Sequence, residues 1–595
     1  MSGQHPHEEE ALGKAYDARL ARRLLTYLRP YRARVALAVA LSLLVASFSL
    51  IQPLFVRWAI DHTIPNGDHR ELALLLGAFL GAVTIEYAIQ FLYILAVNST
   101  GQYAMFDLRI ELFDHLQRLS LSFFDKTPVG RLMTRVTGDI EVLNELFSEG
   151  ITHIFGALFL LIGILGILLW MSVPLTLLAL SVLPLMLIIS RYFRVWSREG
   201  FRAVRTRIAR LNSFLQENVT GLQTVQAFVR EERNLEKFKR LNKDHYDANI
   251  QTILAYAVFF PAVEVVSALG MGAVLWYGGI QVLSGALTLG TLVAFMEYLF
   301  KFFQPIRELS AQYGTLQSAM ASSERIFKLL DEPISIAGPE SPHPIVSARG
   351  RVVFDQVDFE YRTGEPVLHQ VSFVAEPGER IAFVGATGSG KSTVMSLLCR
   401  FYDVIGGRIL IDGVDLRDWN LANLRANFGI VLQDVFLFSG TVLDNITLRD
   451  PRISRADAER VIRELGMEAL VSKLPQGLDS PLGERGRSLS VGERQLVSFA
   501  RALAHDPRIL VLDEATSSVD TETERTIQRA LARLTEGRTS LIVAHRLSTI
   551  HNCDRILVMS KGRVAEMGTH EELLAARGLY HRLYELQYKT QEALA

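Results

Sequence analysis

The sequence predicts a chain in two parts: an α-helical domain with six membrane spans, followed by an α/β domain that binds phosphate groups. Three observations support this prediction. The chain has 595 residues, which is too many for one ordinary domain. Six long apolar segments lie before residue 330. Beyond residue 350, a glycine-rich loop that ends in Lys-Ser lies between a strand pattern and a helix pattern.

The membrane spans come first. A helix needs about 20 mostly apolar residues to cross a bilayer, or slightly fewer when polar turns extend it. The run from Ile151 to Trp170 contains no charged residue, which argues against a cluster of buried helices in a soluble protein. The six segments are approximately Val35 to Phe55, Leu72 to Val97, Ile151 to Trp170, Leu175 to Ile189, Ile253 to Leu275 and Leu287 to Phe303.

Basic residues predict how the spans are oriented. Arg29, Arg32 and Arg34 precede the first span, and residues 191–250 hold thirteen Lys or Arg, whereas the opposite loops are nearly free of them. Because loops rich in Lys and Arg stay in the cytosol, we expect both termini and the α/β domain to lie inside. No signal-peptide pattern precedes the first span, and the lack of a transit peptide favours a bacterial inner membrane.

Prolines between residues 333 and 344 would interrupt a continuous helix and mark the join of the two parts. The expected segments are a cytosolic N-terminal segment (1–34), a transmembrane domain (35–330), a linker (331–349) and the α/β domain (350–595). The net charge of −1 gives no electrostatic reason to expect nucleic-acid binding. Cys399 and Cys553 are too few and too distant in sequence to indicate a metal site.

The glycine-rich loop predicts a nucleotide site. Ile381 to Val384 has the pattern of a buried strand, and Val394 to Leu398 that of a helix. Lys391 is expected to reach the β- and γ-phosphates, and the Ser392 hydroxyl to bind Mg²⁺. The residues expected to surround the nucleotide here are Gly385, Ala386, Thr387, Gly388, Ser389, Gly390, Lys391, Ser392 and Thr393.

A second apolar strand pattern, Ile509 to Leu512, ends in two carboxylates. In an α/β fold, ligands bind at the carboxyl ends of the strands. Asp513 is therefore expected to hold Mg²⁺, and Glu514 to act as the general base that polarises the attacking water.

Three further motifs occur in a fixed order along the same region: IVLQD with Gln433, LSVGERQ from Leu489, and VAHR around His545. With them, residues from about 346 to 585 resemble the nucleotide-binding domain of an ATP-binding cassette transporter. The resemblance implies that ATP and Mg²⁺ are bound between two cassettes and that ATP is hydrolysed. It implies that His545 contacts the γ-phosphate and that Gln433 lies near Mg²⁺ and the attacking water.

The same resemblance implies roles for residues outside the glycine loop. Ser490 and Gly492 of the signature would grip the γ-phosphate of the ATP held by the second cassette. Tyr361 matches the aromatic residue that stacks on adenine. The loop ending at Asp520 would cross between the cassettes.

The signature departs from the family pattern LSGGQ at two positions, Val491 and Glu493. A β-branched residue and a negative charge near a phosphate are both expected to weaken the site that this signature completes. Since Lys391, Asp513 and Glu514 are intact, the chain resembles one member of a heterodimer with unequal sites. A homodimer in which these substitutions are tolerated is the alternative.

The long inside loops indicate an exporter. Residues 98–150 and 190–252 could each supply helical legs about 30 Å long, which resembles the type IV exporter fold. Leu121 to Gly130 and Glu217 to Gln223 match its coupling regions. The chain supplies six spans and one cassette, so it resembles a half-transporter that pairs with a second chain and works by alternating access.

The substrate is predicted only as a class, amphipathic or lipid-like small molecules of the multidrug type. Carboxylates within a span are costly to insert and need a reason. Glu264 and Glu297 are the first candidates for binding amphipathic cations, with Glu86 and Gln52 as further polar residues; pairing with Lys301 is the alternative. An ATP-gated channel or regulator and a dedicated lipid or peptide exporter are the competing functions, whereas a soluble cassette protein is excluded by the spans.

Overall fold

The computed structural model describes residues 17–339, 341, 343, 347–513, 521–544 and 546–588. The chain forms two compact units. The first comprises Met1–Asp114 and Met133–Asp331, and the second comprises His115–Leu132 and Glu332–Ala595. The second unit therefore takes one short segment from the region that the sequence assigned to the transmembrane domain.

The first half of the chain is helical throughout its described length. Its helices are α1 (Ala18–Thr26), α2 (Arg32–Trp58), α3 (Ile64–Asn66), α4 (His69–Arg118), α5 (Leu121–Lys126), α6 (Val129–Thr134), α7 (Ile140–Glu145), α8 (Ile151–Met171), α9 (Val173–Leu180), α10 (Leu183–Thr220), α11 (Leu222–Ala227), α12 (Glu231–Leu283) and α13 (Leu289–Leu330). Helix α12 contains 53 residues, which corresponds to about 80 Å, so it extends far beyond its apolar segment.

Five helical stretches in the described part of the chain are long and apolar enough to cross a membrane. The sixth predicted span, Leu287 to Phe303, begins two residues before α13 and otherwise lies within it. Helix α13 is not one of these five stretches, and it carries Glu297 and Lys301. The five stretches are Arg29–Asn66, His69–Arg118, Ile154–Met171, Val173–Thr220 and Glu231–Leu283.

The spans pack through a shared apolar core and through small residues at the crossings. Ile164, Leu175, Val274 and Phe295 bring α8, α9, α12 and α13 together in one buried cluster. At Gly278 a Cβ would lie 2.5 Å from Leu292 Cδ1, so glycine allows α12 and α13 to approach closely.

The second unit contains two main sheets. A four-stranded antiparallel sheet has the order β2-β1-β4-β5, and a six-stranded sheet has the order β12-β11-β3-β10-β9-β6, parallel except for β12. The strands are β1 (Val352–Arg362), β2 (Glu365–Ala375), β3 (Arg380–Val384), β4 (Gly406–Ile411), β5 (Val414–Asp415), β6 (Phe428–Val431), β7 (Gly440–Thr441), β8 (Pro481–Leu482), β9 (Ile509–Asp513), β10 (Thr539–Val543), β11 (Arg555–Ser560) and β12 (Arg563–Gly568).

The α-helices that follow residue 332 lie between these strands and after the last of them. They are α14 (Lys391–Leu398), α15 (Leu421–Ala426), α16 (Val442–Thr447), α17 (Arg455–Leu465), α18 (Glu468–Lys473), α19 (Val491–Ala504), α20 (Thr521–Thr535), α21 (Leu547–His551), α22 (His570–Ala575) and α23 (Leu579–Leu583).

The apolar strands are buried on both faces because each face belongs to a different core. In β3, Phe383 contributes to one core and Val384 to the other. In β9, Val511 contributes to the same core as Phe383, and Leu512 contributes to the same core as Val384. This arrangement explains the continuous apolar runs, and it fixes the carboxyl ends of β3 and β9 at one edge of the sheet.

Candidate nucleotide site

The glycine loop joins β3 to α14 with a backbone that only glycine adopts easily. Gly385 has φ 151°, and a Cβ there would overlap the Met559 carbonyl oxygen. Gly390 has φ 103°, and its Cβ would lie 2.6 Å from Leu368 Cδ2. The loop therefore packs against neighbouring chain at both ends, which holds it in position at the start of α14.

Lys391 folds back over this loop. Its Nζ donates hydrogen bonds to Gly385 O at 2.8 Å and to Ala386 O at 3.1 Å, and the residue is 7% exposed. Burial lowers the pKa of Lys391 from its usual value, and the charge of Asp513 opposes that shift. The ammonium group thus lies at the loop that the sequence predicts will hold the phosphates.

Ser392 and Asp513 meet although they are 121 residues apart. Ser392 Oγ donates to Asp513 Oδ2 at 3.0 Å, because α14 begins at the same sheet edge where β9 ends. A hydroxyl and a carboxylate oxygen are ligands that suit Mg²⁺, so the residues present fit that ion. Gln433 follows β6, the neighbour of β9 in the sheet, and its side chain is exposed.

Tyr361 lies at the end of β1, beside the first turn of α14. Its hydroxyl donates to Thr393 Oγ1 at 3.2 Å, and the residue is 42% exposed. Phe359 and Tyr402 contact its ring edge-on, with centroid distances of 4.8 Å and 5.2 Å. These contacts fix the orientation of the ring and leave surface free for a flat base.

The signature segment begins helix α19. Ser490 is its N-cap: Ser490 Oγ accepts from Glu493 N at 3.2 Å, and Glu493 Oε2 accepts from Ser490 N at 2.8 Å. Gly492 is buried, whereas Val491 is 47% exposed. Glu493 therefore completes a capping box, and its negative charge is compensated in part by the helix N-terminus. Its effect on a neighbouring ATP site stays a prediction.

Both halves of the chain match known protein families. Residues 35–306 match the ABC transporter transmembrane region, and residues 368–517 match the ABC transporter family. An ABC transporter ATP-binding protein of Bacillus subtilis, YknV, is 40% identical over 586 residues, which cover 98% of this chain and 97% of the relative. The chain belongs to the ABC transporter family.

A second relative and a solved structure extend the likeness. A fatty acid ABC transporter ATP-binding/permease protein of Mycobacterium bovis is 40% identical, with 86% of this chain and 80% of the relative covered. The structure of a bacterial Atm1-family ABC exporter with ATP bound has a TM-score of 0.77 and 30% identity, and the match covers 94% of this chain and 98% of that one.

These findings confirm the predicted fold class, a helical transmembrane domain of the exporter type followed by a nucleotide-binding domain. They also confirm that this ABC transporter is an ATPase coupled to transport. Like other ABC exporters it acts as a dimer.

Three predicted site residues of the transporter lie outside the described residues: Glu514, Asp520 and His545. The structure describes the residue immediately before Glu514 and the residues on both sides of His545. Asp513 ends β9 immediately before Glu514, and Arg546 is the residue that precedes α21, immediately after His545.

The structure places the two predicted substrate carboxylates on different helices, and Glu297 lies one turn before Lys301 on α13, close enough for the two charges to interact. Glu264 is an exposed residue of α12, and Glu297 is a half-buried residue of α13. The side chains that the structure joins are Gln52, which donates to Glu86, and Lys301, whose Nζ donates to Gln52 Oε1 at 3.1 Å.

Each member of that network is visible in the sequence as a polar residue in an apolar run. Pairing with Lys301, the alternative that the sequence offered for the carboxylates, is present for Glu86 through Gln52. The sequence could not specify these partners, because they depend on how three helices, α2, α4 and α13, are rotated against one another. Tyr402 beside Tyr361 was missed for a related reason: no motif distinguishes it from an ordinary core aromatic residue.

Proposed function

We propose that this chain is one half of an exporter that moves amphipathic or lipid-like small molecules out of the cell by alternating access. The observation that carries the proposal is the meeting of Lys391, Ser392 and Asp513 at one sheet edge, in a chain whose other half is a set of long apolar helices. We also propose the domain boundaries 35–330 and 350–595.

Hydrolysis would proceed by in-line attack of water on the γ-phosphate. Lys391 would neutralise charge on the β- and γ-phosphates, and the backbone N–H groups of the glycine loop would orient them. Ser392, Asp513 and Gln433 would hold Mg²⁺, which supplies charge neutralisation and geometry for the phosphates when bound. Glu514 would accept the proton of the attacking water.

Completion of the site would require a second chain. Each chain carries one glycine loop and one signature, and the signature residues Ser490 and Gly492 lie at the N-terminus of α19, where the helix dipole favours an anion. His545 would contact the γ-phosphate from the same chain as the glycine loop, and Asp520 would lie where the cassettes cross. We favour a heterodimer because Val491 and Glu493 alter this signature while the residues of the catalytic half are intact.

The substrate class rests on the relatives and on the membrane half. One relative is named as a fatty acid transporter and the solved relative as an exporter, so an amphipathic molecule carried outward is the simplest common class. Glu264 and Glu297 would serve cationic members of that class, such as multidrug-type substrates. We place both termini and the cassette in the cytosol and the spans in a bacterial inner membrane.

Purification of this chain alone in lipid nanodiscs allows its oligomeric state and its ATPase activity to be measured together. If the chain works as half of a heterodimer, we expect the chain alone to be a monomer, or a dimer with little Mg·ATPase activity. Addition of the second chain should then restore ATP turnover. Brisk turnover by a dimer of this chain alone, abolished by Glu514→Gln, would instead establish a homodimer.

Transport is tested with the active dimer in inside-out vesicles. A fluorescent fatty acid and the lipophilic cation tetraphenylphosphonium serve as probes, and both should accumulate only with ATP. Lys391→Ala provides the control without hydrolysis. Accumulation of neither probe, in vesicles whose ATPase is active, would refute the proposed substrate class.

A further inference from the structure

The short helix α5 contacts the cassette within the second compact unit. Asp125 of α5 accepts a hydrogen bond from the Tyr402 hydroxyl. At the start of the same helix, the Ser335 hydroxyl donates to Ser120 Oγ at 2.8 Å. Two hydrogen bonds therefore join the α5 region to the chain that follows residue 332.

The ring of Tyr402 also contacts two other aromatic rings. Its ring lies edge-on to Tyr361, with 5.2 Å between centroids and an angle of 88° between planes. It also contacts Phe359, with 5.7 Å between centroids. Tyr361 in turn donates its hydroxyl proton to Thr393, in the first turn of α14. A continuous series of contacts thus runs from Asp125 through Tyr402 and Tyr361 to the glycine-loop helix.

We propose that Tyr402 is a positioning residue that links α5 to the surface on which the nucleotide base rests. This inference rests on the proposed function, in which Tyr361 stacks on adenine. The ring of Tyr402 supports Tyr361, and its hydroxyl is anchored to Asp125, so a displacement of α5 alters the orientation of the base-stacking ring.

The chemistry of the pair suits an anchor. Burial and the hydrogen bond to Asp125 raise the pKa of Tyr402 above its usual value, so the phenol stays neutral and remains the donor at physiological pH. An edge-on aromatic pair contributes about 0.5–1.5 kcal/mol beyond its buried area and prefers a restricted geometry. The contact can therefore transmit a small movement without itself being broken.

The coupling must act in both directions. If the position of α5 changes the affinity for the adenine base, binding of the base changes the preferred position of α5 by the same free energy. Lys391 and Ser392, which are proposed to bind the phosphates and Mg²⁺, are not members of this series, so the link concerns the base rather than the phosphates.

The test measures KM and kcat for ATP in the full-length dimer in nanodiscs. Tyr402→Phe keeps the ring and removes the anchor. It should raise KM for ATP about two- to tenfold, the range expected from one hydrogen bond, and leave kcat nearly unchanged. The competitive inhibition constant of inorganic tripolyphosphate, which has no base, should not change.

Four further variants distinguish a positioning role of Tyr402 from a general structural role. Asp125→Ala should match Tyr402→Phe, and the double variant should be no worse than either single one, because both remove the same bond. Asp125→Asn keeps an acceptor oxygen and should stay near wild type. Tyr31→Phe is the matched control, since it removes a tyrosine–aspartate bond of 2.8 Å to Asp107 in the other unit.

The outcomes that would overturn the inference are distinct. An unchanged KM in Tyr402→Phe, additive effects of Asp125→Ala and Tyr402→Phe, or an equal rise in the tripolyphosphate constant would each refute the link. An unchanged KM in Tyr361→Ala would refute the base-stacking role of Tyr361 as well. If the Tyr402 variants refute the link but Lys391→Ala still abolishes nucleotide binding, the inference fails and the proposed ATP site stands.

Discussion

Lys301 of α13 donates a hydrogen bond of 3.1 Å to the carbonyl oxygen of Ser49 in α2. That carbonyl lies four residues before Pro53, which has no N–H, so α2 cannot satisfy it internally. The next carbonyl, that of Leu50, accepts from the hydroxyl of Tyr298, again from α13. Helix α13 therefore supplies a donor in place of the one that the proline removes.

Lys301→Met should destabilise the transmembrane unit. The substitution leaves Ser49 O and Gln52 Oε1 without their donor in an apolar setting, which costs about 1–3 kcal/mol. Equilibrium unfolding in mixed micelles, followed by circular dichroism, measures the loss.

Two variants control this experiment. Lys243→Met removes an exposed pair with Asp247 at 3.3 Å and should change stability by less than about 1 kcal/mol. Pro53→Ala restores an N–H to α2, so Lys301→Met should cost less in that background. An equal cost in both backgrounds would show that the proline is irrelevant to the contact.

Removal of a predicted Mg²⁺ ligand should be visible in the metal dependence of turnover. Asp513→Asn and Ser392→Ala each weaken the oxygen pair at the sheet edge, and the Mg²⁺ concentration for half-maximal ATPase should rise at least about 10-fold. Ser396→Ala alters a serine one turn later in α14, whose hydroxyl donates to Ser392 O at 3.0 Å, and should behave as wild type. A shift in Ser396→Ala equal to that in Ser392→Ala would argue that helix damage, not metal binding, is responsible.

Comparison of Ser392 with Lys301 shows which contacts could be predicted from the sequence and which could not. Lys391 and Ser392 are adjacent in one loop between a strand and a helix, so their common location follows from local pattern, and Asp513 follows because parallel strands end at the same edge. The partners of Lys301 depend on the rotation of α2 against α13, which apolar periodicity does not specify. The same holds for Asp125 and Tyr402, which only tertiary packing brings together.

The signature allows two effects of Glu493 to be separated. Glu493→Gln keeps a side chain that can accept from Ser490 N, so the stability of the cassette should change little. If its charge weakens the neighbouring ATP site, the same variant should raise ATPase of the assembled dimer severalfold, and more so together with Val491→Gly. Glu493→Ala should instead cost about 0.5–1.5 kcal/mol of stability, because the Ser490 N–H loses its acceptor while the Ser490 side chain still caps the helix. Unchanged ATPase in Glu493→Gln would favour the homodimer with tolerated substitutions.

Glu514 is the residue whose loss should separate binding from turnover. As general base it contributes to the transition state and little to ATP affinity, so Glu514→Gln should lower kcat by about 10²–10⁴-fold while KM stays nearly constant. Lys391→Ala should differ by weakening ATP binding itself, since its ammonium lies at the glycine loop. Single-turnover kinetics in the assembled dimer distinguish the two. Full turnover in Glu514→Gln would refute the assignment of Glu514 as the general base, because the amide that replaces its carboxylate cannot accept the proton of the attacking water.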